Sequence, residues 1–88
     1  MKDMFFVYVM KSEKTQELYV GFSEDPFKRL AHHNEGSNHS TRSGRPWQII
    51  YDEGYVDKRD ALGREKFLKG GSGRNYLNKQ LKHYFGAA

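Results

Sequence analysis

Eighty-eight residues make one domain with a small core and leave no room for a separate substrate-binding module. With 36% hydrophobic and 15% aromatic residues the chain has the rings that such a core needs, which excludes a disordered polymer. Fifteen Lys and Arg stand against 11 Asp and Glu, and the resulting +4 suits a polyanionic partner; the lack of cysteine excludes disulfides and thiolate metal sites. The longest apolar run, Met4 to Met10, is too short to cross a bilayer, and no charged-then-apolar leader precedes a cleavage site. A soluble, cytoplasmic protein without a membrane partner is expected.

Met4-Phe5-Phe6-Val7-Tyr8-Val9-Met10 is continuously apolar and rich in aromatic and branched residues, as a strand buried on both faces is, and predicts a central strand. Lys11 to Glu17 interrupts the pattern before Leu18-Tyr19-Val20-Gly21-Phe22 resumes it. A connection this short predicts an antiparallel hairpin, with Tyr8 and Tyr19 on neighbouring strands. Asp25-Pro26 reads as an N-cap followed by proline in the first helical position, and Gly36 is the stop, so a helix spans Pro26 to Glu35. Its apolar face is Phe27, Leu30 and Ala31, while Arg29 and His33, four apart, share one flank.

Gly36 to Pro46 has no apolar periodicity and carries His39, Arg42 and Arg45, which predicts a basic, mobile loop. Trp47 to Val56 restores strand character. A second helix starts near Asp57, has Asp60 in its first turn and ends before Gly70-Gly71, with Ala61, Leu62 and Leu68 as its inward stripe. Glu65 falls inside that stripe, so it must be paired, bind a metal or open onto a cleft, because an isolated buried charge is strongly unfavourable. Beyond Gly73, the spacing of Leu77, Leu81, Tyr84 and Phe85 predicts a third helix packed on the sheet. The order β-β-α-β-α-α gives an α/β (α+β) fold with a small, mainly antiparallel three-stranded sheet flanked by helices.

Two phenols, an arginine and a histidine gathered at one place suit phosphodiester chemistry. Tyrosine hydroxyls order or deprotonate a water, and a guanidinium grips phosphate oxygens in a fork. The residues alone also allow plainer readings: sheet tyrosines that pack, a solvated Arg29, His33 on the surface, and Glu65 paired with Arg64 or Lys69.

Phe6-Val7-Tyr8, Tyr19-Val20-Gly21, Arg29, His33 and Glu65, in this order from Phe6 through about Asn78, resemble the GIY-YIG nuclease domain. The compact layout, with Thr41 and Arg45-Pro46 before the third strand and Arg64-Glu65-Lys66-Phe67-Leu68-Lys69 in the second helix, is similar to its small stand-alone bacterial branch, related to the catalytic domain of the excision-repair endonuclease. Phe6 stands where the first motif's name has glycine, and valine replaces isoleucine at positions 7 and 20; none of these changes removes a functional group.

The resemblance implies a DNA endonuclease with one divalent cation, Mg²⁺ or Mn²⁺, held through Glu65. It implies that Tyr8 activates the attacking water, that Tyr19 supports it or contacts phosphate, that Arg29 neutralises the transition state and that His33 helps the base or binds phosphate. Asn75 or Asn78 is a polar support, the spacing not choosing between them. His39, Arg42 and Arg45 then position DNA phosphates. Lacking an appended recognition domain, the enzyme would be structure-selective or weakly sequence-specific, acting in DNA repair or recombination, with an unidentified protein partner supplying specificity. The rival expectation is a non-catalytic nucleic-acid-binding module or adaptor with the same fold.

Overall fold

The computed structural model describes Met4 to Gly86. Strands β1 (Phe5–Ser12), β2 (Leu18–Ser23) and β3 (Trp47–Tyr55) and helices α1 (Pro26–Glu35), α2 (Lys58–Lys69) and α3 (Gly73–Gln80) follow the expected order. The sheet is antiparallel with β1 at its centre, β2 on one side and β3 on the other. The pairing of β1 with β3 steps from Val9 opposite Tyr51 to Met10 opposite Ile49, so Ile50 is passed over as a bulge.

Alternation along β1 explains why its whole sequence is apolar. Val7 and Val9 point to one face, where they pack with Ala61 of α2, Leu68 at its far end and Leu77 of α3. Tyr8 and Met10 point to the other, where they pack with Trp47, Tyr19, Leu30 and Ile49. Each apolar side chain removed from water in this way contributes about 1.5–3 kcal/mol before ordering costs are subtracted. The strand runs two residues past the apolar stretch, to a fully buried Ser12. There the Ser12 hydroxyl donates to the Gly44 carbonyl at 2.6 Å and accepts from the amides of Lys14 and Thr15, so the hairpin turn is tied to the segment before β3.

Helix α1 begins and ends where its caps require. The Asp25 carboxylate accepts from the Lys28 amide at 3.1 Å, Pro26 fills the first turn, and Gly36 closes the helix with φ of 84°, where a residue with a Cβ would be strained. Its buried side differs from the expected apolar face. Pro26, Leu30 and His33 lie inward, whereas Phe27 is 65% exposed and Ala31 is also exposed. The helix turns its polar histidine into the core because that histidine has partners there.

Three further expectations are corrected. Gly36 to Pro46 is not a mobile loop: residues His39–Gly44 wind into a 3-10 helix capped by Asn38, whose side chain accepts from the Ser40 amide, and Thr41 and Gly44 are buried. Leu62 does not belong to the inward stripe of α2, being 41% exposed, while Ala61 and Leu68 do. Finally, α3 stops at Gln80 with Leu77 buried, and Tyr84 and Phe85 lie in the turns that follow.

Candidate active site

The hairpin register builds the site. Tyr8 faces Gly21 across the β1–β2 ladder and Met10 faces Tyr19, which places the two phenols diagonally on one face with ring centroids 6.5 Å apart. Gly21 makes room for this: a Cβ there would run into the ring and hydroxyl of Tyr8. His33 rises from α1 against both rings, at 5.1 Å from Tyr19 and 6.1 Å from Tyr8, and Trp47 closes the cluster at 6.3 Å from Tyr19.

Within this packed face Tyr8, 1% exposed, and His33, fully buried, share a hydrogen bond of 2.9 Å between the phenol oxygen and Nε2. The other ring nitrogen, Nδ1, lies 2.8 Å from the hydroxyl of Thr41 on the 3-10 turn. The backbone carbonyl of Thr41 in turn accepts from the indole of Trp47 at 2.7 Å. Asn34, one residue beyond His33, clamps the backbone of Trp47 from both sides, donating to its carbonyl at 3.0 Å and accepting from its amide at 2.7 Å. Four segments distant in sequence are thus locked around one imidazole.

Electrostatics brings in the charged residues. Burial pushes the Tyr8 phenol up to about 12; Tyr19 and Glu65 add to the rise and the Arg29 guanidinium opposes it. Burial holds His33 below its ordinary value, and the charge of Arg29 lowers it further, so the ring is neutral near pH 7. Arg29 and Glu65 therefore act on Tyr8 from opposite layers of the molecule. Glu65 is one-fifth exposed and pairs with Lys69 one turn on at 3.0 Å, while Lys69 and Tyr19 line one groove at the β2 edge. Of the two ion-pair partners open to Glu65, Arg64 and Lys69, it is Lys69 that it meets.

Arg64 goes elsewhere, gripping Glu53 of β3 in a two-pronged contact of 2.8 and 3.0 Å. Tyr51 and Tyr55 donate to the same carboxylate, and the Arg64 guanidinium stacks 4.2 Å over Tyr76. Burial raises the Glu53 carboxyl, but Arg64, Tyr51 and Tyr55 together outweigh it and hold the group below the usual carboxylate range. Sequence reasoning missed this cluster, as it missed Asn34 and the contact made by Thr41: Tyr51 and Tyr55 flank Glu53 at a period of two on β3, but the Arg64–Glu53, Asn34–Trp47 and His33–Thr41 bonds join different segments and have no local spacing signal.

His39, Arg42 and Arg45 line an open groove of about 640 Å³ with Lys14, Asn34 and Pro46. Arg42 donates to the Gly36 carbonyl at 3.0 Å and Arg45 to the Arg42 carbonyl at 2.8 Å, each through Nε, so their positions are fixed by backbone. Asn75 and Asn78 are exposed on α3; Asn78 accepts from Arg74, and neither joins the tyrosine cluster through a hydrogen bond.

Sheet order, tyrosine pair, helix-borne arginine and histidine, and a glutamate from the opposite layer define a small α+β domain of nuclease type. The family model described as the GIY-YIG catalytic domain matches residues 4–80. The chain belongs to this nuclease family. It is similar to UPF0213 proteins of bacteria: 37% identical over 68 residues to one from Staphylococcus saprophyticus, spanning 76% of this chain and 82% of the relative. It is 36% identical over 67 residues to one from Clostridium perfringens, spanning 75% and 71%. With one from Lactiplantibacillus plantarum it shares 38% over 71 residues, spanning 77% and 68%. Among the described residues no helix is long and apolar enough to cross a membrane.

Proposed function

We propose that this chain is a metal-dependent endonuclease that hydrolyses DNA phosphodiester bonds, with structure-selective or weak sequence preference. The observation that carries the reading is the buried Tyr8–His33 hydrogen bond with Arg29 acting on both partners. Any buried phenol needs a hydrogen-bond partner, but packing alone does not call for a guanidinium within electrostatic reach of both the phenol and that partner.

In this reading Tyr8 takes the proton of the attacking water, Tyr19 supports it or contacts phosphate, and His33 assists the base. Arg29 binds the phosphoryl oxygens and offsets the charge that grows on them, an effect aimed at the transition state. Glu65 would hold a divalent cation, Mg²⁺ or Mn²⁺, and the donor set fits. The Glu65 carboxylate, one-fifth exposed, would be the oxygen donor supplied by the protein, and waters and substrate phosphate would complete the shell, as is common for Mg²⁺. When bound, the ion supplies Lewis-acid stabilisation of the departing 3′ oxygen. Arg42 and Arg45, their Nε held by backbone carbonyls, line the groove together with His39, and the three position the DNA backbone. DNA repair or recombination in the cytoplasm is the corresponding cellular setting, with specificity supplied by a protein partner.

Cleavage of supercoiled plasmid by wild type and Glu65→Ala, each with Mg²⁺, with Mn²⁺ and with chelator, tests the proposal. Nicking by wild type alone, abolished by chelator, is the expected result. Salt-sensitive gel-shift binding without any nicked product would replace the enzyme by a binding module.

A further inference from the structure

The tyrosine–histidine pair does not stand alone: it is the middle of a chain of hydrogen bonds whose direction can be worked out. Three contacts lie in series, Tyr8 oxygen to His33 Nε2 at 2.9 Å, His33 Nδ1 to Thr41 Oγ1 at 2.8 Å, and Thr41 Oγ1 to the Asn38 carbonyl at 3.4 Å. Only one end fixes the sense, because a backbone carbonyl accepts and never donates. The Thr41 hydroxyl therefore gives its proton to Asn38 and accepts from Nδ1–H. Nε2 is then bare and accepts the phenolic proton of Tyr8. In the opposite sense Thr41 would donate to Nδ1, Nε2–H would donate to Tyr8, and the phenolic proton, enclosed by Gly21 and 1% exposed, would need an acceptor that no protein group supplies. Every buried side-chain polar atom among the described residues has a partner, which the first sense satisfies with three donors and three acceptors.

Resting on the nuclease reading above, we propose that Thr41 is a positioning residue that keeps the His33 proton on Nδ1, so that Nε2 receives the phenolic proton of Tyr8 when Tyr8 takes one from water. The proton balance closes within the protein. A water O–H breaks and its proton goes to the Tyr8 oxygen; the original phenolic proton moves to Nε2; the resulting imidazolium keeps Nδ1–H on Thr41. The hydroxide left behind attacks phosphorus. Without Thr41 the ring is free to carry its proton on Nε2, and the phenol then has nowhere to send its own. Thr41 is itself held by the Trp47 indole at its carbonyl, so the 3-10 turn that presents Arg42 and Arg45 also sets the state of the base.

The test is a two-bond ¹H–¹⁵N correlation spectrum of the full chain labelled at histidine, near neutral pH and without DNA, with His33 assigned through its backbone. Wild type is expected to show a protonated Nδ1 and a bare Nε2, Thr41→Ser the same pattern, and Thr41→Val a shift toward protonated Nε2. Should Thr41→Val not fold, Thr41→Ala is read the same way. A wild-type ring protonated on Nε2, or a pattern unmoved by loss of the hydroxyl, overturns the proposal. In plasmid nicking Thr41→Val should lower kcat by at least about tenfold with KM nearly unchanged, and Thr41→Ser should recover most of it. Because the spectrum needs no turnover, a wild type that shows the Nδ1–H pattern but never cuts DNA would sink the nuclease reading and leave the tautomer assignment standing.

Discussion

Each polar group of the site is held by something that can be removed singly. Arg29 makes no ion pair among those described and acts on both Tyr8 and His33, so Arg29→Ala should leave the fold intact while lowering kcat by about 10²–10³. Affinity for DNA, read by gel shift, should change only a few-fold; an equal loss in both would make Arg29 a mere anchor. Gly21 holds open the space for the Tyr8 ring, so Gly21→Ala should destabilise the protein by about 1–3 kcal/mol of overpacking in urea unfolding. It should also displace the phenol from His33, so an active, equally stable Gly21→Ala would contradict the packing described. These two residues were visible in the sequence for opposite reasons: Arg29 through motif spacing, Gly21 only through the company of Tyr19 and Val20. Thr41 was visible as a letter in the layout but not as a partner of His33, because a bond across the 3-10 turn has no periodicity to betray it.

At the scale of elements, caps and the apolar run carried most of the fold. Asp25-Pro26 and Gly36 bracket α1, Asp57 accepts from the Arg59 amide at 2.8 Å to start α2, and the apolar stretch lies, from Phe5 on, in the middle strand. What failed was the choice of inward face. Spacing ranks Phe27, Ala31 and Leu62 with the core because it counts hydrophobicity; the structure ranks His33 above them because His33 has two buried hydrogen bonds to complete. The orientation of α2 depends on a similar polar choice, the Arg64–Glu53 pair, whose side chains are 24% and 14% exposed. Arg64→Ala leaves Glu53 with only two tyrosine donors and removes the stack on Tyr76, and should cost on the order of 2–3 kcal/mol, below the range for a fully buried pair. Since Glu65 is the next residue, the same change should also slow cleavage without touching the groove at Arg42 and Arg45, which is checked by comparing turnover with gel-shift affinity.

For the whole molecule, the shifted groups set a window of stability. His33 lies below its ordinary 6.5, so under acid conditions the unfolded chain takes up a proton that the folded chain refuses; stability is full above 6.5 and falls as pH drops below it. Glu53, held below 4.5, adds a contribution present above that value and lost as pH falls further. At the alkaline end Tyr8 and Tyr55, both pushed up to about 12 from 10.0, keep protons that the unfolded chain releases, so stability declines as pH rises past 10. Urea midpoints across pH should trace a plateau between these limits, and His33→Gln should flatten the shoulder just below 6.5. A shoulder unaffected by that substitution would assign it to another group.

The alternation of side chains along β1 has one more consequence. Its odd residues, Val7 and Val9, belong to the cluster under α2 and α3, while Tyr8 and Met10 belong to the cluster under α1. One strand thus works as a partition wall between the layer of α2 and α3 and the layer that holds the tyrosine–histidine cluster. Randomising Val7, Val9 and Leu77 should yield variants graded by melting temperature with turnover per folded molecule nearly constant. Randomising the Tyr8 side should scatter turnover among equally robust proteins. Such a wall would let a lineage renovate one room while the other stays in use.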